Sequence, residues 1–332
     1  MKTGLDFYVC DVTASGFSWD GARAQLERDG VIVLRHIYDP ATVDFVADRG
    51  KWFLSRPNLL GSIGYYRKNY ATRFCDPLLF GGKTVDLVTN PKVMDLVAKY
   101  VNGDCYLAEF NLKHDDGINE LYFPLHSDFS PGWKLRNDPA NPELTATDME
   151  KPFAVGGAVY LHDTTEGAFC YAPGTQLMGA PHGANVAKYP REMRKNIEDA
   201  LVRIEGKKGD LILFDDRGFH GPQQPTSAPR TVLLFDYYSR ATFQGRTKTP
   251  IPMLLPDLGH LDQRQLQWLG LGAGIMIPFH EYHVRQFSRS RHFSRLSRVA
   301  QAMFSFHLNA TRAKRRVSGW LGRKAANAEY AD

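Results

Sequence analysis

Between Cys105 and Arg240 the chain is cut into short pieces by turn residues. Strand-like runs at 105–113, 121–129, 153–161, 167–172, 210–215 and 230–238 are separated by clusters of Gly, Pro, Asn and Asp. A single helix, predicted over about 189–204, interrupts them. Many short strands with few helix–strand alternations point to a closed or two-sheet antiparallel architecture, not a doubly wound parallel sheet. Composition agrees. The 29 Gly, 19 Pro and 12% aromatics suit a turn-rich β protein, and 43% hydrophobic with 23% charged residues excludes a disordered chain.

The N-terminal third reads as mixed α and β. A polar helix is predicted over Asp20 to Arg28, closed by Asp29-Gly30, and a buried strand over Val31 to Leu34. Asp39-Pro40 opens a helix to about Leu54, and Asn90-Pro91 opens another to about Val101, each with a capping side chain followed by proline. No internal repeat is visible. The expected organisation is one domain over 1–282, with its β core at about 105–240, followed by an appendage over 283–332.

That appendage holds most of the basic charge. Eleven Lys or Arg fall between Arg285 and Lys324, and Glu329 and Asp332 are its only acids, in a chain of net charge +5. Phe293, Leu296, Ala300, Met303 and His307 recur at helical spacing among arginines, so a basic helical or loosely ordered tail is expected. Such a helix suits an anionic membrane surface or an acidic partner, or docks on the body with its arginines solvated. Charge confined to one end, without a recognised motif, argues against nucleic acid. No apolar run reaches the roughly 18 residues of a membrane span, and no secretory h-region is seen. The four cysteines lack a CxxC pair, so a reducing cytoplasm is expected, with peripheral membrane contact through the tail.

Two histidines and a carboxylate on one face of a metal make a mononuclear non-haem iron site. A strand delivers two of them as His-x-Asp, because residues i and i+2 share a face. The motif alone is weak: 11 His and 36 acids in 332 residues give about one His-x-acid by chance. Three His-x-Asp matches occur, at His114, His126 and His260. His114 runs into Asp115-Asp116-Gly117, a turn, and His260 opens a helix-like stretch. His126-Ser127-Asp128 sits among Tyr122, Phe123, Leu125 and Phe129, which favours that pair. The third ligand is expected from a distant strand, and His220 is read as ending the buried strand that begins Leu211-Ile212-Leu213-Phe214, beside Gly218 and Gly221. Arg230 opens another apolar strand. A guanidinium there needs an anion, either a local acid or the carboxylate of a small dicarboxylic acid.

With these residues in place, the sequence resembles the phytanoyl-CoA dioxygenase family of iron(II)/2-oxoglutarate oxygenases. The matching blocks are Leu26 to Leu34, Leu112-Lys113, Leu125 to Phe129, Glu166 to Thr175, and Lys208 to Phe214 with His220, Pro225-Thr226-Ser227 and Arg230. The resemblance implies a double-stranded β-helix, or cupin-like jelly roll, mainly β with packed helices. It implies Fe(II) held by His126, Asp128 and His220, and 2-oxoglutarate held by Arg230, with Lys113 nearby. It also implies O2-dependent hydroxylation of an unactivated C–H in a small molecule or lipid, releasing succinate and CO2. Halogenating relatives carry a small residue where Asp128 stands, so hydroxylation is expected over halogenation. Two departures stand out. Gln176 occupies the position of a family histidine, and Val232 that of a hydroxyl residue common in the wider superfamily.

Trp133, Tyr160, Phe169 and Phe214 are candidate substrate-lining residues, or on the plainer reading barrel core. His182 is the spare histidine near the site, with a loop role as its plainer reading. Two further functions stay open: a non-catalytic jelly-roll binding module with a basic tail, and a hydroxylase of protein side chains.

Overall fold

A computed structural model describes residues 8–55, 77–115, 125–134, 143–178, 189–223, 228–244 and 258–270, with Val186 and the short strands at 2–3, 65–68, 71–74, 251–254 and 276–279. The 283–332 tail, His182, Tyr122, Phe123 and Pro225 to Ser227 lie outside these residues.

In chain order the first strands are β1 (Lys2–Thr3), β2 (Val9–Asp11), β3 (Val31–Arg35), β4 (Tyr65–Lys68), β5 (Ala71–Phe74), β6 (Cys105–Asp115) and β7 (Ala154–Tyr160). They are followed by β8 (Thr164–Tyr171), β9 (Val202–Gly206), β10 (Leu211–Asp215), β11 (His220–Pro222), β12 (Arg230–Ser239), β13 (Ile251–Leu254) and β14 (Met276–Phe279). The helices are α1 (Trp19–Asp29), α2 (Pro40–Ser55), α3 (Pro91–Val101), α4 (Arg191–Ala200), α5 (Arg240–Phe243) and α6 (Gln263–Trp268). The strands form an eight-stranded sheet ordered β2-β3-β10-β7-β12-β6-β5-β4, a four-stranded sheet ordered β1-β9-β8-β11, and a β13-β14 pair.

Local rules account for the element ends. Ser18 Oγ accepts from Gly21 N–H at the start of α1, and Gly30 ends it in the left-handed region (φ 76°), where a side chain would be strained. Asn90 Oδ1 accepts from the Lys92 and Val93 N–H groups, with Pro91 at the first helical position. Asp262 and Gln265 form a capping box on α6.

Alternation along the large sheet divides the core into two layers. Ile32, Leu34, Leu211, Leu213, Val155, Val159, Leu233 and Phe235 pack with Leu26 of α1, Val46 of α2 and Val97 of α3 on one side. Their neighbours Val31, Val33, Ile212, Phe214, Ala158, Tyr160 and Val232 turn the other way and meet Phe169, Tyr171 and Ile204 of the small sheet. The two sheets thus face one another, with helices covering the outer face of the larger one. This is the two-sheet arrangement that the turn spacing predicts, and the jelly roll that the family resemblance implies. Each apolar side chain taken fully out of water contributes roughly 1.5–3 kcal/mol, so these layers dominate stability.

Three expectations need correction. The helix predicted over 189–204 ends at Ala200, and Val202, Ile204 and Gly206 alternate inward as β9. β-Branched residues at period two favour a strand once Leu201 breaks the helix. His126 lies in no continuous strand among the described residues: it forms a single antiparallel bridge with His220. His220 does not end the buried strand that precedes it. β10 stops at Asp215 in the large sheet, and His220 opens β11 in the small one.

β7 carries Gly156-Gly157 because aromatic rings cross it on both faces: Phe214 lies over Gly156, and Phe235 over Gly157, where an added Cβ would fall inside the ring. Gly157→Ala is therefore expected to destabilise the protein by about 1–3 kcal/mol through overpacking. Gly103→Ala, where nothing lies within 4 Å, should stay within about 0.5 kcal/mol of wild type. Denaturant unfolding midpoints measure both, and equal midpoints would mean that the Phe235 ring gives way.

Candidate metal centre

The site is assembled where the small sheet ends. β11 pairs with β8 on one side (His220 opposite Tyr171). On its other side His220 N–H donates to His126 O (2.8 Å), and His126 N–H donates to His220 O (3.0 Å). Two residues exchanging both hydrogen bonds stand directly opposite, with side chains on the same face. The imidazole centroids lie 4.7 Å apart. Asp128, two residues on, reaches both rings: its carboxylate oxygens lie 3.4 Å from His126 Nε2 and 3.4 Å from His220 Nε2. One ligand atom from each residue lies within 4.8 Å of the others. The structure brings together the three residues singled out from the sequence.

The donor set suits a divalent metal. His220 Nδ1 lies 3.0 Å from Gly218 O. A carbonyl only accepts, so Nδ1 carries the hydrogen and the Nε2 lone pair is left for a metal. Asp128 N–H donates to Asp216 O (3.0 Å), which ties the second strand position to the same loop. Loss of solvation works to raise the Asp128 pKa, but the His220 and His126 imidazoles outweigh it and hold the carboxyl well below its usual range. Burial works to lower the His220 pKa, and the Asp128 carboxylate reverses this and raises it above 6.5. Imidazoles and a carboxylate with further positions open are the ligands that non-haem iron takes.

The other two His-x-Asp matches lie elsewhere. His114 Nδ1 meets Thr231 Oγ1 at 2.9 Å on the opposite face of β6 from Lys113, and His260 Nε2 meets Asp86 at the surface (2.7 Å). Cys10, Cys105 and Cys170 are free thiols.

Arg230 and Lys113 share the inner wall. Lys113 stands opposite Val232, and Arg230 lies two residues before Val232 on the same face. Both cations are buried, and Arg230 Nη1 donates to Gly167 O (2.6 Å). Val232 joins the interior apolar cluster. Counting by twos from these residues reaches others that the sequence reading passed over. Asn111 stands opposite Leu234, and Glu109 opposite Asp236, before the register shifts between Asp236 and Tyr237. The alternation that identified the metal strand was the available signal, and it applies to β6 and β12 as well.

The four aromatic candidates divide. Phe214 and Phe169 pack on the His220 ring, with centroids 4.7 and 5.8 Å away. Tyr160 is core: its hydroxyl donates to Ile204 O (2.7 Å) and accepts from Phe169 N–H (2.9 Å). Trp133 lies against Phe129 and Phe243, in a separate cluster. Gln176 has a structural task, donating from Nε2 to Glu27 O and Arg28 O at the C-terminal end of α1.

A proton and a metal compete for His220 Nε2. With the histidine pKa raised, apparent Co(II) or Fe(II) affinity should fall about tenfold per pH unit once pH drops below that raised value. The Asp128 carboxyl, held well below its usual range, stays ionised here, so the loss belongs to the imidazole ligands. Calorimetry in buffers of differing ionisation enthalpy should show proton release on binding, and a pH-independent affinity across the histidine range would contradict it. In the metal-free Asp128→Asn variant, the NMR titration midpoint of His220 should move down.

The family model described as phytanoyl-CoA dioxygenase (PhyH) matches residues 26–232. No curated protein matches the sequence significantly. Among solved structures the chain is similar to EctD from S. alaskensis with 2-oxoglutarate and 5-hydroxyectoine, at 20% identity over 73% of this chain and 84% of that one (TM-score 0.54). It is similar to the same protein with bound Fe, at 19% identity over 78% and 87% (TM-score 0.52). It is also similar to the epimerase SnoN in complex with Fe3+, alpha ketoglutarate and nogalamycin RO, at 15% over 67% and 83% (TM-score 0.50). At these identities the likeness is one of fold. With the family matched across more than half of its length, and an imidazole–carboxylate–imidazole cluster inside the matched span, the chain belongs to the phytanoyl-CoA dioxygenase family and is a 2-oxoglutarate-dependent oxygenase.

Proposed function

We propose that this protein hydroxylates an unactivated C–H bond of a small molecule, with conversion of 2-oxoglutarate to succinate and CO2. The observation that carries the reading is the cluster of His126, Asp128 and His220 donor atoms within 4.8 Å of one another. When bound there, iron(II) and 2-oxoglutarate supply the O2-dependent oxidising chemistry that no side chain can. The protein's part is positional. Gly218 O keeps the Nδ1 proton of His220 and so leaves Nε2 open. Arg230 and Lys113 are two buried cations on one wall, an arrangement that favours an anionic cosubstrate, and the guanidinium fork suits its distal carboxylate. Phe169 and Phe214 keep water from one side of the His220 ring.

The inner wall also bears on substrate. Glu109, Asn111 and Asp236 share a face with Lys113 and Arg230, and the Asp236 charge contributes to raising the His220 pKa. A wall carrying charged side chains and an amide supports a small polar substrate over a fatty acyl chain, which offers such groups no complementary contact.

Anaerobic addition of Fe(II) and 2-oxoglutarate should give a visible charge-transfer band. It should be absent in His126→Ala and weaker at equal 2-oxoglutarate in Arg230→Ala. A wild-type protein without the band would remove the reading. A screen for substrate-stimulated succinate release should favour polar small molecules over acyl thioesters, and the reverse order would overturn the polar assignment.

A further inference from the structure

The loop Asp216–Phe219, between β10 and β11, offers two backbone carbonyls to the metal ligands. Asp216 O accepts from Asp128 N–H (3.0 Å) and from Ser127 Oγ (3.4 Å). Gly218 O accepts from His220 Nδ1 (3.0 Å). This stretch crosses from one sheet to the other. Phe219 at its end is held from the β8 side, its O accepting from Ala172 N–H (2.9 Å) and its N–H donating to Thr175 Oγ1 (2.9 Å). Asp216 to Gly218, however, lie in neither sheet's ladder.

A buried ion pair holds it instead. Asp215 is 0% and Arg217 2% exposed. Asp215 Oδ1 accepts from the Arg217 backbone N–H (2.9 Å) and from Nε (3.0 Å), and Oδ2 accepts from Nη2 (2.7 Å). Arg217 Nη1 donates to Met149 O (2.9 Å), and Tyr100 of α3 donates its hydroxyl to Asp215 Oδ2 (2.5 Å). The Asp215 carbonyl accepts from Gly218 N–H (3.0 Å) and from Tyr171 OH (3.0 Å). Gly218 has no room for a side chain, because a Cβ would collide with the Tyr171 hydroxyl. The pair therefore fixes the residues on both sides of the Asp216 carbonyl and the residue before Gly218, and ties them to the helix layer through Tyr100 and to β8 through Tyr171.

Stability alone is a poor account of this arrangement. Desolvating two charges costs about as much as their attraction returns, and apolar replacements of a whole buried pair are often neutral or stabilising. We propose that Asp215 and Arg217 are positioning residues of the metal centre, setting the loop whose carbonyls orient His220 and Asp128. This rests on the reading of His126, Asp128 and His220 as metal ligands. In the absence of the pair the loop relaxes, His220 samples the other tautomer, and the metal loses an oriented ligand.

The test is Co(II) titration of metal-free protein, read by visible absorption. The double variant Asp215→Asn/Arg217→Met removes both charges together, so neither is left buried alone. It should unfold cooperatively with unchanged circular dichroism, and bind Co(II) about ten- to a hundredfold more weakly. Its His220 ring nitrogens should show mixed tautomers by NMR. Arg35→Met is the control. It breaks the remote Arg35–Asp210 pair and should lower stability without moving Co(II) affinity. Affinity of the folded double variant within twofold of wild type overturns the proposal, as does an equal loss in Arg35→Met. If the double variant does not fold, Arg217→Lys and Tyr100→Phe decide, and wild-type affinity and tautomer in both overturn it. A wild-type protein that fails to bind Co(II) removes the metal-centre reading itself, a separate outcome.

Discussion

Two backbone hydrogen bonds, one in each direction between residues 126 and 220, hold the candidate metal centre together. Among the described residues the His126 segment makes no other strand pairing. The bridge places two imidazoles side by side, and the two-residue repeat of extended chain then carries Asp128 to the same face. Nothing about this geometry needs a long strand. It needs β11 to be held in place, which β8 does from the other side.

The large sheet supplies rigidity of a different kind. Its two faces do separate work: one is sealed by α1, α2 and α3, and the other forms the interior in which the His220 ring packs on Phe169 and Phe214. Because the outer face is densely packed, β6 and β12 can present polar groups on the inner face without loss of the fold. Lys113 and Arg230 sit at one end of that wall, and Glu109 and Asp236 further along it, up to the point where the register shifts. A close-packed core has low compressibility and holds position well, as a site built on small interatomic distances requires.

The loop between β10 and β11 links these two parts. It leaves the large sheet at Asp215, bonds to α3 through Tyr100 and to β8 through Tyr171, and enters the small sheet at His220. Gln176 shows the same economy of tertiary ties: its side chain bonds the last carbonyls of α1, a connection between the helix layer and the end of β8.

Much of this was legible in the residues. Asn90-Pro91, Asp29-Gly30 and Asp262 mark helix ends because capping acts within one turn. His126-x-Asp128 shares a face because alternation acts within one strand. Arg230 and Lys113 could be named from the family motif, and their shared wall follows from the register. What local rules left out is partnership. Period two tells which side a residue takes, not which strand lies beside it, so His220 read as the end of β10 when it opens β11 on the opposite sheet. The helix predicted through Ile204 overran for a related reason: Val202 and Ile204 take strand form beside β8, a neighbour invisible in their own stretch of chain. Thus the sequence by itself determined most element types, the caps and which side chains could serve as metal ligands. The tertiary structure decided their convergence, because hydrogen bonds between distant strands depend on the packing of the whole barrel.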